Sequence, residues 1–248
     1  MDRVVSIGGA QIHARVAGSG APTVVFEAGA CEGSEVWRAV EPAIAERATT
    51  VLYDRRGTGR SAPVDRPRRL SELVDELEVV LDTLRPPRPL LLVGHSLGGL
   101  LVRLLAARRP GDVAGLVLVD PFHEDMTRRF AARLSPRAME ELRAGNPTDR
   151  EGFELEQEVE VLPPVPPHGD APLIVLSGQE RNEVPASVPG EIAAEITSAL
   201  HAIAPALQRQ LAERAAHGRH VSVEGAGHHI HRQRPDAVID AILSLLRR

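Results

Sequence analysis

Two hydrophobic patterns alternate along the chain. Thr23-Val24-Val25-Phe26, Thr50-Val51-Leu52-Tyr53, Pro89-Leu90-Leu91-Leu92-Val93, Leu116-Val117-Leu118-Val119 and Pro172-Leu173-Ile174-Val175-Leu176 are short, nearly unbroken apolar runs, the pattern of strands covered on both faces. Between them apolar residues recur at helical spacing. Ser34 is placed to cap a helix through Trp37, Val40, Ile44 and Ala48. A second helix runs from Ser71 with Leu73, Val74, Leu77, Val80, Leu81 and Leu84 on its apolar side, and a third carries Leu97, Leu100, Leu101, Leu104 and Leu105 until Arg108-Arg109-Pro110-Gly111 ends it. Val4 to Ile7 and Gln11 to Val16, separated by Gly8-Gly9, predict an antiparallel hairpin, while a strand at His220 to Val223 and an amphipathic helix from Pro235 to Leu246 close the chain.

Strands alternating with helices in this way predict an α/β fold with right-handed crossovers and a mostly parallel central sheet. The rhythm breaks after Pro121. From Phe122 to about His168 the sequence has helical fragments around Met126, Phe130 and Leu134, a second start at Ser135-Pro136, an acidic stretch from Glu151 to Glu160, and the stiff connector Pro163-Pro164-Val165-Pro166-Pro167. We expect residues 1–121 and 169–248 to form one core, and residues 122–168 a helical lid inserted at the carboxyl edge of the sheet, where ligands of open α/β sheets bind.

Composition narrows the function classes. The chain has 248 residues, a formal charge of −5, 43% hydrophobic and 25% charged residues, the balance of a globular protein without an electrostatic footprint for nucleic acid. No segment has the apolar length needed to span a bilayer, and the amino-terminal residues do not form a leader, so a cytoplasmic protein is expected. Cys31 is the single cysteine, which agrees with a reducing compartment. Aromatic residues make up 2% of the chain, which predicts a pocket of Leu, Val, Met and Ala suited to small aliphatic groups.

Candidate chemistry centres on Gly94-His95-Ser96-Leu97-Gly98-Gly99, between an apolar strand and an amphipathic helix. A serine at such a turn is held in a strained conformation that exposes its Oγ, glycines on either side let strand and helix approach, and the helix start offers free N–H groups to a developing anion. A serine hydroxyl needs a base and an acid that orients the base. Gly225-Ala226-Gly227-His228-His229-Ile230-His231 supplies three histidines after the last strand, of which His228 stands directly after the glycine turn and is the expected base. The acid is to be found among Asp120, at the end of the strand Leu116 to Val119, Glu180, Asp125 and Glu124, which only geometry separates.

Four blocks in this order, Phe26-Glu27-Ala28-Gly29-Ala30, Asp54-Arg55-Arg56-Gly57-Thr58-Gly59-Arg60-Ser61, Gly94 to Gly99, and Gly227-His228 followed by Pro235, make the chain resemble the α/β-hydrolase superfamily over nearly its whole length. The likeness is to the lid-bearing serine esterase branch related to epoxide hydrolases and haloalkane dehalogenases, in which the nucleophile, acid and histidine follow in that chain order. The resemblance implies an oxyanion hole from the backbone N–H groups of Ala30 and Leu97, and a Ser96-His228-Asp120 triad that needs neither metal nor organic cofactor. Glu27-Ala28-Gly29 replaces the His-Gly common in relatives; a buried Glu27 needs a partner, for which Arg55 or Arg56 is placed. Serine at the nucleophile position argues against alkyl-enzyme chemistry and for cleavage of a small-molecule carboxylic ester. The rival readings are a cofactor-free lyase or oxidative reaction on the same triad, and a ligand-binding member without turnover.

Overall fold

The computed structural model describes residues 1–144, 151–153, 170–180, 184 and 186–247. Strands β1 (Asp2–Ile7), β2 (Ala10–Ala17), β3 (Thr23–Glu27), β4 (Thr49–Tyr53), β5 (Leu90–His95), β6 (Val113–Val119), β7 (Leu173–Gly178) and β8 (Gly218–Val223) form one eight-stranded sheet in the order β1-β2-β4-β3-β5-β6-β7-β8. The hairpin β1-β2 and the β2-β4 pair are antiparallel, and every pairing from β4 to β8 is parallel. All carboxyl ends of β3 to β8 therefore lie on one edge, where the candidate residues are gathered.

Successive residues of a strand face opposite sides, and the core divides accordingly. Val25, Val51, Leu92, Leu118 and Val175 pack under helices α2 (Leu70–Leu84) and α3 (Leu97–Arg108), through Leu73, Leu77, Leu100 and Leu101. Val24, Phe26, Leu91, Val93, Val117 and Ile174 pack on the other face against Trp37, Ile44, Val238 and Ile242, the last two from the closing helix Pro235–Leu246. With both faces covered, β5 is buried along its whole length, which explains why its sequence is an apolar run rather than an alternation.

The segment from Ser34 to Ala48 departs from the single helix expected of it. A 3-10 turn (Ser34–Trp37) is followed by a separate helix α1 (Glu41–Ala45), with no side-chain cap from Ser34. Pro42 is the physical reason: it lacks an N–H and clashes with the preceding turn, so it is tolerated only where a helix begins.

The interruption after Pro121 contains helices α4 (Met126–Ala131) and α5 (Pro136–Ala144). Phe130, Ala138 and Met139 of these helices, with Leu134 from the turn between them, form a third cluster with Val188, Ile196 and Ala199. The last two belong to α6 (Gly190–Glu213), whose C-terminal half, through Leu211 and Ala212, joins the sheet core instead. Residues 145–150 and 154–168, including the proline connector and the acidic stretch beyond Glu151, lie outside the described residues. After β8 come a one-turn helix α7 (Ile230–Gln233) and α8 (Pro235–Leu246). No helix among the described residues is long and apolar enough to cross a membrane.

Candidate active site

Ser96 sits between β5 and α3 with φ 50° and ψ −118°, a conformation strained for any residue with a side chain. Its neighbours make the turn possible. A Cβ on Gly94 would come 2.4 Å from Gly98 O, and one on Gly98 would come 2.5 Å from the oxygens of Glu27 and Ala28. Strand, helix and the loop after β3 approach closely only with glycine at both places. The turn is pinned by Ser96 N–H donating to Val119 O (3.1 Å) and by Phe122 N–H donating to Ser96 O (2.9 Å). These bonds tie the serine to the end of β6 and to the start of the interruption.

Asp120 follows β6 at a second left-handed position, φ 42°. Its side chain is buried at 2% exposure, and its Oδ2 accepts from Nδ1 of His228 at 2.7 Å. Oδ1 accepts from the N–H of Gly178 (3.1 Å) and from Nε2 of Gln208 (3.0 Å). With Nδ1 carrying the proton donated to Asp120, the basic lone pair of neutral His228 lies on Nε2. The structure thus pairs Asp120 with His228, 108 positions apart in the chain. The alternative acids are engaged elsewhere. Glu124 is bound by Arg103 (2.9 Å) and Arg214 (2.7 Å), and Asp125 accepts from Arg128 (2.8 Å). Glu180 is exposed at the end of β7, its N–H donating to Ala226 O.

The other two histidines of the cluster have different surroundings. His229 is partly exposed, 3.6 Å from Glu32, and burial together with the nearby His228 and His95 lowers its pKa to about 4. His231 is fully buried against Trp37 and His95, with ring centroids 4.9 and 4.4 Å away, and neither of its nitrogens has a hydrogen-bond partner among the described residues. Burial first, then His95, brings its pKa to about 2. His95 reaches the main chain of the expected base, its Nε2 donating to His228 O at 3.0 Å, while Nδ1 faces Glu32 Oε2 at 3.0 Å. Burial alone would raise the Glu32 pKa, but His95, His231 and Arg232 bring it down to about 2. Glu32, His95 and His231 offer donor atoms within 4.8 Å of one another, as a metal site would, yet Glu32 Oε1 is already bound by Arg232 at 2.7 Å. The group braces the His228 loop from behind.

The loop before Ala30 is held by a buried guanidinium. Arg55, 1% exposed, donates through Nη1 to Glu27 Oε1 (2.5 Å) and Ala28 O (2.8 Å), through Nη2 to Gly29 O (2.5 Å), and through Nε to Glu151 Oε2 (2.6 Å). Glu151 also accepts from the N–H of Cys31 at 2.5 Å. Of the two arginines placed to partner Glu27, it is Arg55 that does so; Arg56 pairs with Glu76. Although burial alone would weaken its charge, Glu151 and then Glu27 keep Arg55 firmly cationic, whereas burial raises the Glu27 carboxyl despite Arg55 and Tyr53. Ala30 therefore stands between anchored neighbours, and Leu97, the first residue of α3, has an N–H without an intrahelical acceptor. A cavity of about 750 Å³ adjoins this loop, lined by Cys31, the Gly57–Gly59 turn, Arg66 and Gly152 among others; Ser96 and His228 are not in its wall.

Sequence reasoning does not single out Gln208, Ser177 or Glu151. Gln208 carries a signal, a polar residue in the apolar stripe Ala204, Leu207, Leu211 that is buried in the structure. Glu151 carries none, because its partners are distant in the chain and it opens an ordinary acidic stretch.

Comparison with known proteins agrees with this architecture. The family model described as alpha/beta hydrolase fold matches residues 22–163, more than half of the chain. The protein YqjL of Bacillus subtilis (strain 168) is 34% identical over 122 residues, which are 49% of this chain and 48% of that protein. The chain thus matches about half the length of such curated relatives. Among solved structures, the enol-lactonase from Burkholderia xenovorans LB400 superposes with a TM-score of 0.70 at 20% identity, covering 99% of this chain and 100% of that one. A thermophilic esterase from Thermogutta terrifontis gives a TM-score of 0.66 at 18% identity, covering 100% of this chain and 98% of the other. The matched family, the sheet order and the strained serine turn lead to one assignment: this chain belongs to the alpha/beta hydrolase fold family.

Proposed function

We propose that the protein is a serine hydrolase that cleaves carboxylic esters of small aliphatic acids through an acyl-enzyme on Ser96. The observation that carries this reading is the 2.7 Å contact of His228 Nδ1 with buried Asp120 beside the strained Ser96 turn. His228 Nε2 takes the hydroxyl proton as Ser96 Oγ attacks the carbonyl carbon. The oxyanion that forms is stabilised by the N–H groups of Ala30 and Leu97. The imidazolium returns the proton to the departing alcohol, leaving an ester on Ser96. Water, deprotonated by the same nitrogen, then attacks the acyl carbon, and collapse of the second tetrahedral intermediate releases the acid and restores Ser96. Asp120 remains ionised throughout and holds the imidazole in the productive tautomer. We assign α4 and α5, the described helices of the expected lid, to a cover over this edge of the sheet, since Phe122 N–H is bonded to Ser96 O and the two helices make their own core with the first half of α6.

The test is a chain-length series of p-nitrophenyl esters together with a fluorophosphonate probe. Wild type is expected to turn over short acyl chains best and to be labelled at Ser96, and Ser96→Ala to lose both. Folded protein that takes no label would point to a binding protein, and labelling without turnover of any ester to lyase or oxidative chemistry on the same residues.

A further inference from the structure

The hydrogen bonds behind Asp120 run in one direction. Gln208, on the inward face of α6 and 1% exposed, donates from Nε2 to Asp120 Oδ1 at 3.0 Å. An amide that donates there presents Oε1 to the other side, where Ser177 Oγ donates to it at 2.5 Å. The hydroxyl has one proton, and once it is given to Gln208 the Ser177 oxygen is an acceptor for Nε2–H of His220, 2.7 Å away. The order His220, Ser177, Gln208, Asp120 is thus a chain of donors ending on a carboxylate. Each link polarises the next. The same carboxylate receives His228 from its other oxygen.

We propose that Gln208 is a positioning residue of the catalytic triad, held in register by Ser177 and His220, which aims Asp120 Oδ2 at His228 and moderates the basicity of the carboxylate. This rests on the reading of Ser96, His228 and Asp120 as a triad. Two consequences separate it from a core-filling role. Without the amide, Oδ1 of Asp120 keeps, of the two described donors that fix it, only the Gly178 N–H, and the carboxylate holds the imidazole less well, which lowers kcat. The carboxylate also loses a donor that competes for its charge, so it holds the proton of the His228 imidazolium more strongly. His228 then deprotonates at higher pH. Among the described residues, the charged and titratable groups facing its ring include Asp120 from the end of β6, His95 from β5 and His229 from its own loop, with Glu32 and Arg232 behind them, and all are unchanged in the variants proposed.

The experiment compares wild type, Gln208→Leu and Ser177→Ala in p-nitrophenyl ester hydrolysis from pH 5 to 9, with folding checked by circular dichroism. Gln208→Leu is expected to lower kcat by roughly tenfold with KM changed less than about twofold, and to move the acidic limb of kcat/KM upward by about half a pH unit. Ser177→Ala is expected to move both in the same direction by less, and decides the matter should Gln208→Leu not fold. A folded variant with unaltered kcat and unaltered midpoint overturns the proposal, as does a loss of kcat with no movement of the midpoint. If wild type neither hydrolyses the esters nor takes a fluorophosphonate on Ser96, it is the hydrolase reading that fails. The positioning of Asp120 is then tested by the low-field proton resonance of His228 Nδ1–H, which should shift in Gln208→Leu; an unmoved resonance overturns it independently of activity.

Discussion

Ser96 and Asp120 both occupy left-handed backbone positions, φ 50° and φ 42°, at neighbouring ends of the sheet. Each such conformation costs on the order of 1–3 kcal/mol and persists only where the surroundings impose it. Ser96 is legible from its glycines alone, because a serine flanked by them at a strand-to-helix junction is confined to a tight turn that leaves its Oγ outside the packing. Asp120 cannot be separated from Glu180 or Asp125 in that way; the choice depends on which carboxylate meets the imidazole, and that is a distance. It has a direct kinetic consequence. Asp120→Asn should lower kcat by about 10³–10⁴ with little change in KM, because an amide stabilises the wrong imidazole tautomer, while Glu180→Gln should stay within about twofold of wild type. Equal losses in both variants, measured with one ester, would reassign the acid.

Between elements, the interruption and the loop after β3 are joined by a buried charge cluster. Glu151 reaches Arg55 and the Cys31 N–H on either side of Ala30, so the residue expected to offer an oxyanion donor depends on a carboxylate from the inserted segment. Removing it leaves Arg55 with Glu27 as its remaining carboxylate. Glu151→Ala should destabilise the fold by about 1–3 kcal/mol, read as the shift in urea midpoint, because the buried guanidinium and the Cys31 N–H lose an acceptor while Glu27 still balances the charge. Ester turnover should fall with it, and Glu151→Gln, which keeps an acceptor oxygen without the charge, should lie between. A variant as stable as wild type would show that the cluster does not hold this loop. The partnership of Glu27 with a following arginine is legible in the sequence, since a buried acid at a strand end requires a cation; the contribution of Glu151 is not, because nothing local distinguishes it. Helix α6 escapes a reading of the pattern on different grounds: Ala193, Ala194, Ala199, Ala202, Ala204 and Ala206 blur the boundary between its apolar and polar faces, and Pro205 lies within it.

On the scale of the whole molecule, buried histidines make stability depend on pH. His231 and His123 are fully buried, and burial is the main cause that lowers their pKa values from 6.5 to about 2 and about 4. Below 6.5 the unfolded chain binds protons that the native protein refuses, so their contribution is complete above that value and is lost as pH falls. From pH 7 to 5 the loss is about 2 kcal/mol per histidine. Urea denaturation at pH 7 and pH 5 should show it; because burial lowers His229 and His95 as well, His231→Phe should remove only its own share, about 2 kcal/mol of the loss, and an unchanged pH dependence would mean that His231 titrates normally. The apolar runs determined the α/β class, the succession of strands along the chain and the serine turn, because periodicity and glycine placement act within a few residues, where steric exclusion decides the conformation. Which acid meets which histidine, which arginine meets Glu27, and the convergence of Gln208 and Glu151 on the same edge were decided only in the folded chain. Those pairings join groups far apart in sequence, and they form because burying a polar atom without a partner costs more than almost any alternative arrangement.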